Sequence, residues 1–361
     1  MAELLKNIFF TKETIEHLSK VLKREYPKFN EREFSKHIFD DRWKSLELKE
    51  KMRHVSACMQ KVLPPDFIKS VEILEKIAPD IQGFEAMTLP DYVEHYGMEY
   101  FDRSLKALTL FTKYSSSEFA IRPFIAKDPK KVMALMLKLA NDEDERVRRF
   151  SSEGCRPRLP WAMALPELQK DPSTILPILE KLKNDPSEFV RRSVANNLND
   201  ISKDNPNTAI ELSRRWIGKS TEIDKIVKHG LRTLLKDGNT DALRLFGYGD
   251  PEHIELLDLN IGKNKIRIGG NTQLTASFKN HDPGLVKLRL EYAIYYRKSS
   301  GGLSKKVFQV SEKKYHPGTH KIQRKLTFQD MTTRKHYPGE HQLSFIVNGK
   351  ELGKIIFLLR K

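Results

Sequence analysis

The stretch DPKKVMALMLKLAND at residues 128–142 returns as DPSTILPILEKLKND at residues 171–185, a shift of 43 residues. Behind each copy stands Val-Arg-Arg, at Val147–Arg149 and again at Val190–Arg192, with the same 43-residue offset. Each copy has room for two short helices, and self-similarity at this period marks stacked helical repeats. A degenerate third unit follows, with first helix expected over Asn207–Lys219 and second over Thr221–Lys236. Upstream, SEFAIR at residues 117–122 echoes SEFVR at residues 187–191 and reads as an older unit, placing Glu118 on a repeat helix. The fold expected here is a HEAT-like α-solenoid.

The second helices are two-faced. At about 100° per residue, Val190, Val194, Leu198 and Ile201 fall on one stripe. Arg192, Asn196, Asn199 and Lys203 lie opposite, and one repeat earlier that face carries Arg149 and Glu153. Stacking such helices lines their polar faces into one groove, with carboxylates beside guanidinium groups. The texture then changes at FGYGDP, residues 246–251, where glycine ends the helical pattern. Beyond it the period is two. Strands are expected at Ile254–Asn260, Asn271–Asn280, Leu285–Arg297, Lys306–Ser311, His320–Phe328, His341–Asn348 and Gly353–Leu359. Short strands at this spacing make an immunoglobulin-like β-sandwich. The expected organisation is therefore multidomain, α then β: a helical-repeat domain over 1–250 and a basic sandwich over 251–361.

The charge belongs almost wholly to the second part. The 361-residue chain carries a net +16, with a pI near 9.5. Residues 261–361 hold 21 Lys and Arg against 6 Asp and Glu, a net +15, so the first 260 residues net only +1. Such a footprint suits a polyanion. A cationic amphipathic helix of the membrane-surface kind is not visible, because the lysines alternate with apolar residues on strands. No stretch approaches the roughly 18 uninterrupted apolar residues of a membrane span, and the start reads as an amphipathic helix with no visible signal-peptide h-region. The two cysteines, Cys58 and Cys155, build neither a disulfide framework nor a zinc site, which points to a reducing cytoplasm. With the histidines scattered, no metal or other cofactor is expected.

Nucleotide-triphosphate, serine-hydrolase and metalloprotease signatures are absent. Three segments stand out instead: SSSEFAIRPF at residues 115–124, SSEGCRPRLPW at residues 151–161 and SVANNLND at residues 193–200. In the middle one a repeat helix breaks at Gly154, Pro157 and Pro160, leaving Arg156, Arg158 and Trp161 in an irregular loop. The bland reading of that loop is a capped helix end with Trp161 as a core plug. Taken with LELKEKMRH at residues 46–54, the three segments resemble the AlkC-type DNA-3-methyladenine glycosylases of the HEAT-like repeat superfamily. The likeness runs through essentially the whole chain, the appended sandwich included.

That resemblance implies excision of 3-methyladenine and 3-methylcytosine from double-stranded alkylated DNA, without metal and with the lesion left largely in the stack. It implies a lesion site of Glu118, Glu153, Trp161 and Asp200. Arg122, Arg148, Arg149, Arg156, Arg158, Arg191, Arg192 and Asn196 are then expected to hold DNA. It implies also a bacterial cytoplasmic monomer, at the nucleoid when bound to DNA. Tyr114 precedes Glu118 where the related AlkD branch has Trp one turn before its acid, so details of the sugar contact differ.

The chemistry agrees with these residue types. A base methylated at N3 is already cationic and leaves without protonation, so no general acid is needed. What remains is an oxocarbenium charge on the deoxyribose and a water to attack it, and a fixed carboxylate serves both. An aromatic ring beside the sugar adds cation–π attraction of roughly 0.5–2 kcal/mol. Arginines on that face hold phosphates and fix register. No Schiff-base lysine is called for, so no lyase activity is expected. Bland readings stand beside these. Arg149 and Glu153 are spaced as an ordinary helix pair, Asp200 suits a helix cap, and Trp43 and Trp216 read as packing. The competing function is a non-catalytic HEAT scaffold tethered to nucleic acid by its basic domain.

Overall fold

The computed structural model describes residues 8–331 and 334–361. The chain divides into two compact units, Met1–Gly230 and Leu231–Lys361. The helices Arg232–Lys236 and Thr240–Leu245 fall within the second unit, whereas the sequence pattern puts the joint at 250/251.

The first unit is built of packed helices. In the repeat that begins at Asp128, that side chain accepts a hydrogen bond from the Lys131 amide at 3.0 Å and Pro129 takes the first helical position, so Pro129–Leu139 starts cleanly. Its copy is shorter, Leu176–Leu182, because Pro177 suits only a first turn. The second helices run Glu145–Glu153 and Glu188–Asp204. Val190, Val194, Leu198 and Ile201 are all fully buried, as the helical stripe requires. Arg148 locks one repeat to the next: its guanidinium grips the Asp185 carboxylate at 2.6 and 3.0 Å and donates to the carbonyls of Asp142 and Glu143 at 2.9 and 2.8 Å.

Two expectations change in detail. The third unit's first helix is Pro206–Trp216, and its second stops at Gly230 rather than Lys236. A Cβ at Gly230 would stand 2.5 Å from Leu198 Cδ2, so the close approach of this second helix to Glu188–Asp204 requires glycine, which is also a weak helix former. Trp216 is fully buried and donates to Glu180 at 2.7 Å, a packing role like that of buried Trp43. Among the described residues no helix is long and apolar enough to cross a membrane.

Among the described residues the second unit carries eight strands: β1 Ile254–Ile261, β2 Lys265–Arg267, β3 Asn271–Asn280, β4 Val286–Arg297, β5 Leu303–Tyr315, β6 Gly318–Thr327, β7 Gly339–Val347 and β8 Lys350–Arg360. They form a three-stranded sheet, β1-β3-β6, and a five-stranded sheet, β2-β8-β7-β4-β5. Pairing is antiparallel except for β2 with β8, where Ile266 pairs with Leu359. Leu274 and Phe278 of β3 pack with Ile294, Leu343, Phe345 and Phe357 between the sheets. This is the immunoglobulin-like sandwich. The strand β2 escapes the sequence reading because three residues carry no period. β5 is longer than its expected Lys306–Ser311 and lies at a sheet edge, where Lys305, Lys306, Lys313 and Lys314 guard against pairing with another chain.

Candidate active site

Glu118 lies in a turn before the helix Arg122–Lys127, not on a repeat helix as expected, because Pro123 fits the first turn and the helix starts only there. Its Oε2 accepts from Ser116 Oγ at 2.8 Å and from Arg149 Nη1 at 2.6 Å. Arg149 also reaches Glu153 Oε1 at 3.7 Å, one turn further along its helix, and its guanidinium lies 4.6 Å from the centre of the Phe189 ring. Glu153 takes Arg156 Nη1 at 2.6 Å and Ser193 Oγ at 2.6 Å. Arg156 Nε then meets Asp200 Oδ2 at 2.9 Å, and Lys203 meets Asp200 Oδ1 at 3.3 Å. Acids and bases therefore alternate without a gap: Glu118, Arg149, Glu153, Arg156, Asp200, Lys203.

Depth grades this chain of charges. Glu153, Arg156 and Asp200 are 5%, 7% and 1% exposed. Glu118 and Arg149 retain some access, and the Phe189 and Trp161 rings stand in solvent, Trp161 at 58%. Glu118 is therefore the carboxylate that a ligand on this face can reach, with Glu153 and Asp200 beneath. Burial pulls the Arg156 guanidinium down, but Glu153 and Asp200 outweigh it and hold its pKa above the ordinary value. Asp200 sits inside Glu188–Asp204 as an ion-pair partner, which removes the reading of it as a helix cap.

The 154–165 loop is organised from within. A Cβ at Gly154 would stand 2.9 Å from Ile121 Cγ2, which fixes where the helix can end. Arg122 is fully buried beneath the loop and donates to the carbonyls of Gly154 at 3.1 Å, Arg156 at 2.8 Å and Met163. Burial draws its pKa down to about 10. Trp161 adopts φ of 64°, its ring exposed rather than plugging the core. Its carbonyl accepts from Lys49 Nζ at 2.5 Å, and that ammonium lies 4.6 Å from the centre of the Phe119 ring.

The expected DNA-holding set is thus corrected in part. Arg122 and Arg156 are buried, and Arg148 is spent on the inter-repeat clamp, so none of the three presents a guanidinium to a duplex. Arg191 donates to the Asp185 and Pro186 carbonyls at 2.6 and 2.8 Å. Arg158 is half-exposed and donates two hydrogen bonds to the Asp204 carboxylate, at 2.7 and 2.5 Å. Arg192 is exposed and lines a hollow of about 300 Å³ with Arg191, Lys225 and His229, where His229 meets Asn196 Oδ1 at 3.0 Å.

Three groups at this site do not stand out from sequence. Ser193 opens the quoted segment 193–200 and Phe189 lies within the quoted SEFVR at residues 187–191, both without an assigned role, and a phenylalanine among charged residues on a helix face is a visible signal for the second. Lys49 lies inside a quoted segment that assigns it no role. Away from this chain of charges, Asp91, Glu94 and His95 bring ligand-type atoms within 4.8 Å of one another, a grouping the scattered histidines do not suggest. Asp91 there already accepts from Ser56 and meets Arg53 at 3.4 Å.

Known proteins show the same architecture. Residues 255–361 match the C-terminal Ig-like domain family of the uncharacterised protein YhaZ, and residues 175–204 match the HEAT repeat. The uncharacterised protein YhaZ of Bacillus subtilis strain 168 is 43% identical over 347 residues, 96% of each chain. The alkylpurine DNA glycosylase AlkC of Pseudomonas fluorescens, solved bound to DNA containing an abasic site analog, is 39% identical across 99% of both chains, with a TM-score of 0.94. The chain belongs to the AlkC family. The match to AlkC takes in both the helical repeats and the basic sandwich.

Proposed function

We propose that the chain is a monofunctional DNA glycosylase of base excision repair. In this reading it hydrolyses the N-glycosidic bond of cationic N3-alkylated bases, 3-methyladenine and 3-methylcytosine, in double-stranded DNA. The observation that carries the reading is the full-length likeness to AlkC bound to abasic-site DNA.

The geometry supplies the means. Ser116 and Arg149 both donate to Oε2 of Glu118, which leaves Oε1 to orient a water towards C1′ of the sugar. The fixed negative charge stabilises the oxocarbenium ion as the base departs. The exposed Trp161 ring lies against the sugar and adds cation–π attraction. The site supplies no general acid, so it acts on bases that are already cationic and that need no complete flipping to be activated. Lys49 and Lys203 are engaged by the Trp161 carbonyl and by Asp200, which fits hydrolysis without a lyase step. Beneath the reacting groups, Glu153, Arg156 and Asp200 act as a rigid charged floor.

The sandwich holds the duplex. A hollow of about 450 Å³ on it is lined by Arg297, Lys298, Lys305, Lys306, Arg334 and Lys335 with Tyr296 and Tyr337, and no carboxylate lines it among the described residues. Arg334 stacks on Tyr296 with 4.5 Å to the ring centre and donates to its hydroxyl at 3.0 Å, so one cation is held rigid for a phosphate. Lys305 is shared with Glu351 at 2.6 Å, and Lys313 lies over Tyr315. The protein acts as a monomer in a bacterial cytoplasm in this reading. Incubating it with methylated duplex DNA in EDTA and measuring the released bases tests the proposal. Release of 3-methyladenine and 3-methylcytosine supports it, whereas binding with no release favours the scaffold.

A further inference from the structure

Lys49 occupies an uncomfortable place. It sits in the first turn of the helix Leu48–Val62, whose start is closed by a reciprocal capping pair between Glu47 and Glu50. The exposed amide groups of a helix N-terminus disfavour a cation, and the Glu47 and Glu50 carboxylates answer them there. The ammonium itself reaches two segments far away in sequence. Nζ donates to the Trp161 carbonyl at 2.5 Å and lies 4.6 Å from the centre of the Phe119 ring, next to Glu118. Glu94, a largely buried carboxyl, feels its charge as well.

Both of the segments it joins need holding. Trp161 has φ of 64°, a backbone conformation that bulky L residues rarely adopt and that persists only where the surroundings dictate it. The loop's own backbone hydrogen bonds nearby are long, 3.4 Å for Ala162 to Leu159 and 3.4 Å for Leu165 to Pro157. Glu118 lies in a turn rather than on a helix, so helical hydrogen bonds do not fix its position.

We propose that Lys49 is a positioning residue of the excision site: one ammonium ties the Trp161 loop to the Glu118 turn and so sets the spacing of indole and carboxylate about the sugar. The proposal rests on the assignment of Glu118 and Trp161 to that site. Lys49 touches no reacting atom. Its effect is on geometry, and geometry of this kind matters because a misplacement of about 1 Å can cost on the order of 10²-fold in rate. The competing role is a direct phosphate contact, which would act on affinity and on its salt dependence instead.

The test uses the full chain with Lys49→Met, which keeps the aliphatic stem, and Lys49→Arg, which keeps a charged donor. Single-turnover excision of 3-methyladenine and affinity for a duplex with an abasic-site analog are measured for each. Trp161 quenching by acrylamide is followed in parallel, since Trp43 and Trp216 are buried and Trp161 is exposed. The expected result for Lys49→Met is a rate lower by about 10- to 100-fold, affinity within about twofold of wild type, altered Trp161 quenching and an unchanged melting temperature. Lys49→Arg restores most of the rate. Excision at the wild-type rate overturns the proposal, as does a loss of affinity that accounts for the loss of rate. Should the wild-type protein release no base, the glycosylase reading fails and quenching alone decides: a change on Lys49→Met supports the tether, and none overturns it.

Discussion

Replacing Arg156 with methionine strikes the middle of the charged floor. Arg156 is 7% exposed and serves Glu153 at 2.6 Å and Asp200 at 2.9 Å, which are themselves 5% and 1% exposed. Methionine fills much of the volume but strands two buried carboxylates. Breaking a buried ion pair from one side typically costs about 3–5 kcal/mol. Here each acid keeps a second partner: Glu153 has Ser193 at 2.6 Å and Arg149 at 3.7 Å, and Asp200 has Lys203 at 3.3 Å. The lower end of the range, about 3 kcal/mol, is therefore expected. For a helical unit of this size that is a fall of roughly 6–12 °C in the melting temperature, read from the far-ultraviolet dichroism of the helices. Adding Glu153→Gln and Asp200→Asn to the same chain removes the stranded charges and should recover at least half of the loss. A loss below about 1 kcal/mol for Arg156→Met alone would refute the view of this network as a tightly coupled floor.

Three further outcomes follow from the same geometry. Glu118→Gln keeps the shape and removes the charge, so single-turnover excision of 3-methyladenine should fall by on the order of 10²-fold or more with DNA affinity little changed; wild-type activity would move the role to Glu153 or Asp200. Substituting Arg297, Lys298, Lys306 and Lys335 together with glutamine should flatten the dependence of log affinity on log salt by about 0.9 for each phosphate that is no longer neutralised, and an unaltered slope would remove the sandwich hollow from the DNA surface. Burial, and after it Asp91, raises the Glu94 carboxyl from 4.5 to about 7. Its favourable share is therefore complete below pH 4.5 and is lost as pH rises through about 7. Glu94→Gln should accordingly stabilise the protein at pH 8, by at most about 3 kcal/mol, and do nothing at pH 4. An equal effect at both would show that the titration is not the cause.

Much of this architecture is legible from local pattern. Two near-copies that open on Asp-Pro announce the repeats, and the shift from helical to twofold spacing at residues 246–251 announces the sandwich. Side-chain destination is a different matter. Arg122, Arg148 and Arg149 look alike in sequence, yet one is a fully buried loop scaffold, one an inter-repeat clamp and one a partner of Glu118. The difference depends on carbonyls and carboxylates up to 41 residues away, which no helical wheel contains. Lys49 and Trp161 are 112 residues apart, so their pairing lies still further beyond local reading. Glu118, Glu153 and Asp200 are brought together by stacking of the repeats, and Arg156 of the broken loop pairs with the inner two.

The claim at the centre is that the site exploits a leaving group already carrying positive charge. Single-turnover base release from matched duplexes, one with 3-methyladenine and one with uracil, tests it under identical salt and pH. Release of 3-methyladenine and none of uracil is expected, because an accessible carboxylate with no general acid cannot activate a neutral base. Efficient hydrolysis of uracil would contradict it.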